Sequence, residues 1–537
     1  MRQPISILLA QINPTVGAIE ENTRKIIKVI QEYQDTHALI VFPELSLTGY
    51  PLDDLLFRPE LHDAVQKGLH LICQSVGRCY AVIGYPTQDG IAYYNSVGVF
   101  HEKSCEAIYY KQCLPNEDVF DERRYFQPGP FKTAVFSAYG YDFALLICED
   151  IWHAGPVEHA LQEEVDVILC VNASPFELKK QEKREALLSA HAQKGVSIVY
   201  VNQVGGQDEL VFDGQSFAVD VSGKVCARAE AFKENYLSVV LQDHKITGPI
   251  AQRLSGEALC YQALISGVRD YVLKNGFQKV LLGLSGGIDS ALSLAIAVDA
   301  LGADAVEAIL MPSRYTAEMS VEDAQIEAAA LGVSTRILSI EPALEAYVAT
   351  LSSEISPLHT LVMQNLQARI RGMLLMALSN QSGALVLTTS NKSEIAVGYG
   401  TLYGDMAGGF CVLKDVLKTD VYALARYRNA LGAVIPERVL LRPPSAELAP
   451  EQIDQDSLPP YDILDDIIRA YVEEGQSIED IVARGHELNL VSQVIRMIML
   501  NEYKRQQSPK GVKISTRAFG KDWRIPITKG SLTAIPA

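Results

Sequence analysis

Two sets of residues have the types and spacing to do chemistry. The first is Ser285-Gly286-Gly287-Ile288-Asp289-Ser290, which follows the apolar run Val280–Leu284 and opens a helical stretch, Ala291–Leu301. Strand, loop and helix start together make an anion grip. Adjacent glycines let the backbone turn tightly, serine hydroxyls and unpaired N–H groups donate inward, and the helix dipole favours negative charge. Asp289 in such a loop is suited to Mg²⁺ rather than to phosphate. The string has neither the lysine of a Walker A loop nor the spacing of a dinucleotide GxGxxG, which excludes an ordinary γ-phosphate NTPase and a Rossmann dehydrogenase. The second set is dispersed: Glu44, Lys111 and Cys148 each end an apolar run that reads as a strand. The C-terminal ends of strands are where α/β sheets build clefts. A thiol attacks as its thiolate, whose population rises beside a cation, so Lys111 is expected to activate Cys148 while Glu44 takes the proton. The same lysine would help backbone amides stabilise an oxyanion.

The chain that positions these residues has 537 of them, too many for one core and enough for two to four domains. It is 48% hydrophobic and 21% charged, as expected of a folded protein, with no repeat and no low-complexity segment. Its 47 basic and 65 acidic residues leave a net charge of −18, which disfavours nonspecific nucleic-acid or anionic-membrane binding. No apolar run approaches the roughly 18 residues needed to cross a bilayer. The short apolar Ile5–Ala10 lacks a cleavage site and leads into a strand, so no signal peptide is expected. Nine scattered cysteines without a CxxC pair argue against disulfides and zinc, and a cytoplasmic location is the expectation.

Over about the first 240 residues, β-rich runs (Ile5–Ala10, Ala38–Phe42, Ala81–Tyr85, Ser96–Phe100, Ala107–Tyr110, Phe143–Ile147, Val167–Asn172, Ile198–Asn202) alternate with helical periods such as Glu20–Tyr33 and Lys180–Lys194. This predicts an α/β sheet sandwich. The polar stretch Gln242–Pro249 reads as a linker. Beyond it, a helix near Leu259–Asn275 and strands at Val306–Met311, Thr335–Ser339 and Ala384–Thr388 predict a parallel, doubly wound sheet, followed by a mainly helical C-terminal third with a locally basic tail, Lys504–Lys521. The expected domains are 1–243, a linker 244–260, and 261–537.

The SGGxDS string resembles the PP-loop of the ATP pyrophosphatases, which split ATP into AMP and pyrophosphate. In the first half, Phe42-Pro43-Glu44-Leu45, Tyr110-Lys111-Gln112-Cys113-Leu114-Pro115 and Ile147-Cys148-Glu149-Asp150-Ile151-Trp152 resemble, in order, the three motifs of the nitrilase (carbon–nitrogen hydrolase) superfamily. That resemblance implies an αββα sandwich, a Glu44–Lys111–Cys148 triad, Glu122 as a supporting carboxylate, and Glu117, Glu149, Ser174 and Lys180 at the glutamine site. Members that hydrolyse glutamine often carry an aromatic residue where this chain has Glu117, and a glycine where it has Lys179.

GMP and asparagine synthetases also join amide transfer to a PP-loop, but their glutaminase halves resemble other folds. A nitrilase-type half matches the glutamine-dependent NAD⁺ synthetase family, and Met311–Tyr315, Asn365–Gly372, Thr388–Glu394 and Gly398–Lys418 agree with it. The resemblance implies ATP contacts at Ser285, Gly286, Gly287, Ile288, Asp289, Ser290, Thr389, Lys418 and Ser445. It implies Mg²⁺ at Asp289 and Glu394, and the deamido-dinucleotide at Asn365, Arg369, Arg371, Glu394, Asp405 and Lys513. The implied reaction converts nicotinic acid adenine dinucleotide, ATP and glutamine to NAD⁺, AMP, pyrophosphate and glutamate through an adenylated carboxylate and channelled ammonia, in a homo-oligomer. Two other readings stay open: a PP-loop amidotransferase for a different carboxylate, and a nonenzymatic nitrilase-like scaffold.

Overall fold

The computed structural model describes residues 2–355, 357–450 and 452–530. They form two compact units, Met1–Leu254 and Ser255–Ala537.

The first unit contains strands β1 (Ile5–Gln11), β2 (Leu39–Val41), β3 (Tyr80–Asp89), β4 (Ala92–His101), β5 (Ser104–Tyr110), β6 (Val135–Ala138), β7 (Tyr141–Ile147), β8 (Val167–Asn172), β9 (Ser197–Asn202), β10 (Val204–Gln207), β11 (Leu210–Asp213), β12 (Phe217–Val219), β13 (Val225–Arg228), β14 (Asn235–Gln242) and β15 (Lys245–Thr247). One sheet has the order β15-β14-β1-β2-β3-β4-β5 and the other β13-β12-β9-β8-β7-β6, while β10 and β11 make a separate hairpin. The inner faces of both sheets share one core, in which Ile7, Leu9 and Val41 of one meet Phe143, Leu145, Leu169 and Val199 of the other. A second core lies under the helices Ile19–Tyr33 and Pro59–Ser75, where Ile26, Ile30, Val65 and Ile72 cover Leu8, Ile40 and Ile83. β7, β8 and β9 are buried on both faces and pair in parallel, which is why they read as unbroken apolar runs.

One expected boundary is corrected. Lys245–Thr247, read from its polarity as linker, is instead the edge strand β15, paired antiparallel with β14, and Arg228 N–H donates to the Pro249 carbonyl at 2.9 Å. Only Ile246 of the three is buried, so the strand carries almost no apolar signal.

In the second unit, β16 (Val280–Gly283), β17 (Val306–Leu310), β18 (Ser334–Ile337), β19 (Leu385–Thr388) and β20 (Phe410–Cys411) form a sheet ordered β18-β17-β16-β19-β20, every pairing parallel. The order reverses at β16, so its carboxyl end is the switch point at which doubly wound sheets bind ligands. The loop after β16 is Ser285–Gly287, and its helix runs Ile288–Leu301, which puts Asp289 in the first turn. A helical core built on Leu464, Ile468, Val491, Val494 and Ile498 fills the C-terminal third.

Candidate active sites

In the first unit, β2 ends one residue before Phe42-Pro43, and Glu44 follows, 1% exposed. Its turn presses against β3 so closely that a Cβ on Gly84 would meet Leu45 N at 2.4 Å, which is why glycine stands there. Lys111 follows β5 and is equally buried. Its Nζ donates to Glu44 Oε1 and Glu122 Oε1, both at 2.7 Å. Asn95 Nδ2 donates to the same Glu44 oxygen at 2.7 Å, and Ala173 N–H to the other at 2.8 Å. Tyr50 OH donates to Glu122 Oε1 at 2.9 Å, while Glu122 Oε2 is buried without a partner.

Electrostatics follows from this packing. Burial works to strip the proton from Lys111, but Glu122 and Glu44 outweigh it and hold the ammonium well above its ordinary range. Burial pushes the Glu122 carboxyl up to about 7, against the pull of Lys111. Cys148, which follows β7 with a left-handed φ of +44°, is 6% exposed. Burial first, then the negative charge of Glu44, pushes its thiol well above the usual range, and Lys111 offsets only part of this. Against the expectation that Lys111 activates Cys148, burial and Glu44 act on the thiol more strongly than the lysine does. The lysine's charge is already shared by two carboxylates, which leaves less of it for the thiol.

Asp150 was not singled out by sequence. Its Oδ1 accepts Gln112 N–H at 3.1 Å and Cys113 N–H at 2.8 Å, and its Oδ2 accepts Ile147 N–H at 3.1 Å and Tyr109 OH at 2.9 Å. The residues next to Lys111 and Cys148 thus hang on one buried carboxylate. Arg184 escaped the reading as well: wholly buried and paired with Asp213, it donates to Ser174 O at 2.8 Å and Ser174 Oγ at 3.0 Å. Lys180 lies over the Trp152 ring at 5.2 Å, and burial lowers its pKa. Glu149 bonds His153 Nε2 at 3.1 Å. Glu117 stands exposed on the loop before Phe120, outside this buried cluster. Lys179 takes φ +67°, a left-handed conformation that glycine adopts without strain.

In the second unit, Ser285 Oγ and Ser290 Oγ lie 3.0 Å apart, Ser290 Oγ donates to Gly287 O at 2.9 Å, and Gly287 N–H donates to Ser285 Oγ at 3.2 Å. Beyond the loop opens a cavity of about 780 Å³, large enough for a nucleotide. Ser285, Gly287, Ile288, Asp289, Ser290, Thr389, Lys418 and Ser445 line it, as do Asn365, Arg369, Arg371, Glu394 and Asp405. Gly286 is turned from it: at φ +82° it packs where a Cβ would meet Ser320 O at 2.2 Å. Lys513 does not reach it either, because its ammonium donates to Ser515 O at 2.5 Å and lies 3.5 Å from Asp522.

Lys418 Nζ bonds Asp289 Oδ2 and lies 3.3 Å from Glu394 Oε1, so one cation reaches both carboxylates. Burial pushes the Glu394 carboxyl up to about 8, with Lys418 opposing and Asp289 reinforcing the rise. Asn391, unnoticed in sequence, holds the Asp289 carboxylate and caps the helix that carries Glu394: its Nδ2 donates to Asp289 Oδ1 at 2.9 Å and its Oδ1 accepts the Glu394 backbone N–H at 3.0 Å. No cluster of three or more His, Cys, Asp or Glu side chains is grouped for a metal among the described residues. Two carboxylates that converge on one cation beside the Ser285–Ser290 loop nevertheless fit Mg²⁺, which takes one or two carboxylates and completes its shell with phosphate and water. Arg371 Nε donates to Met311 O at 3.0 Å, and burial lowers its pKa to about 10. Thr401 ties the opposite wall, donating to Asn365 Oδ1 at 2.9 Å through its hydroxyl and to Asp405 Oδ1 at 2.7 Å through its N–H.

Residues 7–248 match the carbon-nitrogen hydrolase family and residues 260–508 the NAD synthase family. The chain is 48% identical over 536 residues to a glutamine-dependent NAD(+) synthetase of Acinetobacter baylyi, and 46% identical over 538 residues to one of Xanthomonas campestris pv. campestris, with 98% of each chain covered in both comparisons. Among solved structures, a glutamine-dependent NAD+ synthetase from Acinetobacter baumannii, in complex with adenosine diphosphate, is 45% identical and superposes with a TM-score of 0.79 over 98% of both chains.

Proposed function

Since this chain belongs to the glutamine-dependent NAD⁺ synthetases, we propose that Cys148, Glu44 and Lys111 release ammonia from glutamine and that the cavity beside Ser285–Ser290 adenylates the acid that receives it. Glu44 takes the thiol proton as Cys148 attacks the amide carbon. Lys111 steadies the oxyanion, ammonia leaves, and Glu44 then activates the water that frees glutamate from the thioester. Lys180 and Ser174 are read as contacts for the amino-acid end, supported by a half-buried lysine and a hydroxyl clamped by Arg184.

In the second unit, the carboxylate of nicotinic acid adenine dinucleotide attacks the α-phosphorus of ATP, a P–O bond breaks to release pyrophosphate, and ammonia displaces AMP from the mixed anhydride to give the amide of NAD⁺. The Ser285–Ser290 loop is assigned the phosphates. Asp289 and Glu394 would hold Mg²⁺, which when bound supplies charge neutralisation on the phosphates. Lys418 offers a point cation to the departing pyrophosphate, and Arg371, Arg369, Asn365 and Asp405 are assigned to the acceptor dinucleotide. A homo-oligomer is part of this reading, supported by Leu361, Met373 and Met376 left exposed on the helix Thr360–Ser382. A cytoplasmic location is supported by nine free cysteines.

The observation that supports the division of labour is that Glu44, Lys111 and Cys148 lie in one compact unit and the residues lining the cavity beside Ser285–Ser290 in the other. The test is NAD⁺ formation from nicotinic acid adenine dinucleotide and Mg-ATP, comparing the intact chain with Cys148→Ala under glutamine or ammonium. The variant is expected to lose only glutamine-supported synthesis. No NAD⁺ from the intact chain with either nitrogen source sinks the acceptor assignment.

A further inference from the structure

After the short helix Glu437–Leu441 the chain runs Arg442-Pro443-Pro444-Ser445-Ala446-Glu447, two prolines limiting its backbone freedom. Arg442 divides its guanidinium between two partners in other segments. Nη2 donates to the Gly286 carbonyl at 2.8 Å, and Nη1 to Ser320 Oγ at 2.7 Å. Ser320 Oγ donates onward to Glu447 Oε1 at 2.6 Å, and that carboxylate lies 3.6 Å from Arg442 Nη1. Ser320 sits in the first turn of the helix Glu318–Leu331, its backbone the surface on which Gly286 packs. One turn before Arg442, Arg438 is paired with Asp323 and Glu322 of the same helix start. Two arginines at i and i+4 therefore pin this segment to the helix start and, through Arg442 alone, to the phosphate loop.

The consequence lies in the peptide that joins Gly286 to Gly287. A trans peptide points its C=O and N–H to opposite sides. With the carbonyl held by Arg442, the Gly287 N–H faces the inside of the loop, where it meets Ser285 Oγ at 3.2 Å. Flanked by two glycines, this peptide has little steric bar to flipping, and a flip would aim a carbonyl at an incoming phosphate. We propose that Arg442 is a positioning residue, which fixes the Gly286–Gly287 peptide with its N–H turned toward the ATP phosphates and docks the segment carrying Ser445 against the same loop. This rests on the reading of the cavity as an ATP site.

The test measures the affinity of the full chain for α,β-methylene ATP with Mg²⁺ by calorimetry, together with KM for ATP and kcat in ammonium-supported synthesis. Arg442→Met is expected to weaken nucleotide binding at least tenfold and to lower kcat at saturating ATP less than threefold. Arg442→Lys keeps the charge but not the fork, and is expected to stay at least fivefold weak. Ser320→Ala leaves every charge in place and removes one anchor, for a loss of at least threefold; it decides the matter if Arg442→Met does not fold. Full rescue by lysine overturns the proposal in favour of a charge acting directly on phosphate. A collapse of kcat at unchanged affinity overturns it in favour of contact with the departing pyrophosphate, and affinities within twofold of wild type for all three variants remove it altogether. Because binding is read with nucleotide alone, a chain that binds normally but makes no NAD⁺ counts against the acceptor assignment and not against Arg442.

Discussion

Arg184→Met in the first unit tests how far stability and the amide-cleaving centre share one set of bonds. Arg184 is 0% exposed, and its Nη1 donates to both oxygens of Asp213 at 2.9 Å. Nη2 donates to Ser174 O at 2.8 Å and Pro175 O at 3.0 Å, two successive carbonyls in the segment after β8. Methionine fills most of the volume and supplies no donor. Asp213 would then keep a single side-chain donor, Gln215 Nε2 at 2.8 Å, for a carboxylate that is 1% exposed. Removing one partner of a buried ion pair costs about 3–5 kcal/mol, most of it the stranded charge.

The Arg184→Met, Asp213→Asn pair closes the cycle. If the cost is the stranded charge, the double variant recovers about 2–3 kcal/mol relative to the sum of the singles, since neither charge remains. Urea unfolding followed by fluorescence measures this, with Trp523→Phe in the background so that Trp152 alone reports on the first unit. The functional arm is glutamine KM, expected to rise at least tenfold because Ser174 loses its clamp, while ammonium-supported synthesis holds. A loss below about 1 kcal/mol for Arg184→Met, or strict additivity in the double, would refute the reasoning by showing that solvent reaches Asp213 once the arginine is gone.

Glu327, 1% exposed with Oε1 unpartnered, has its carboxyl pushed up to about 8 by burial, Arg428 only partly opposing. A raised carboxyl means that the folded chain keeps a proton the unfolded chain sheds above about pH 4.5, so stability falls as pH rises from there to about 8. Glu327→Gln is expected to match wild type near pH 5 and to exceed it by about 2–4 kcal/mol near pH 8, at roughly 1.4 kcal/mol per pH unit before relaxation; parallel pH–stability curves count against it. Lys179, exposed at φ +67° and ψ 6°, carries left-handed strain of about 1–2 kcal/mol that glycine lacks, against about 0.5–1 kcal/mol of extra unfolded-state entropy. Lys179→Gly should therefore gain about 0.5–1 kcal/mol in urea unfolding and Lys179→Ala nothing; equal gains would place the effect in the lost side chain.

What the sequence makes legible here is what neighbours in the chain decide. The Ser285–Ser290 string is local, with strand, glycines and helix start all within about twenty residues, and the strand, loop and helix all form, the helix beginning at Ile288, three residues before the expected Ala291. Glu44, Lys111 and Cys148 could be found because each ends an apolar run, and strand ends converge in α/β folds whatever the loops do. Strands with only one inward side chain are another matter: β15 hides its single buried Ile246 between two exposed polar residues and cannot be told from a loop. The five-residue helix Glu437–Leu441 is too short to show a period.

Residues whose meaning lies in a distant partner are the ones sequence reading passes over. Asp150 follows Cys148 by two positions, yet what it accepts includes amides 37 and 38 residues back. Arg184 looks like one more charge on a polar helix until Asp213, 29 residues on, closes over it. Lys513 and Lys418 each follow an apolar residue, Val512 and Leu417, and only the fold turns one into the cavity and the other onto Asp522. The upward push on the Cys148 thiol shows the same limit in energetic form. A linear reading counts one cation near a thiol, whereas the thiol feels the sum of a lysine already shared by Glu44 and Glu122, the residual field of Glu44, and the loss of water. Of these, burial acts most strongly, and burial belongs to no single residue. The charge balance at a buried thiol is thus a property of the packed core around it, in which Glu44 is itself held by three donors.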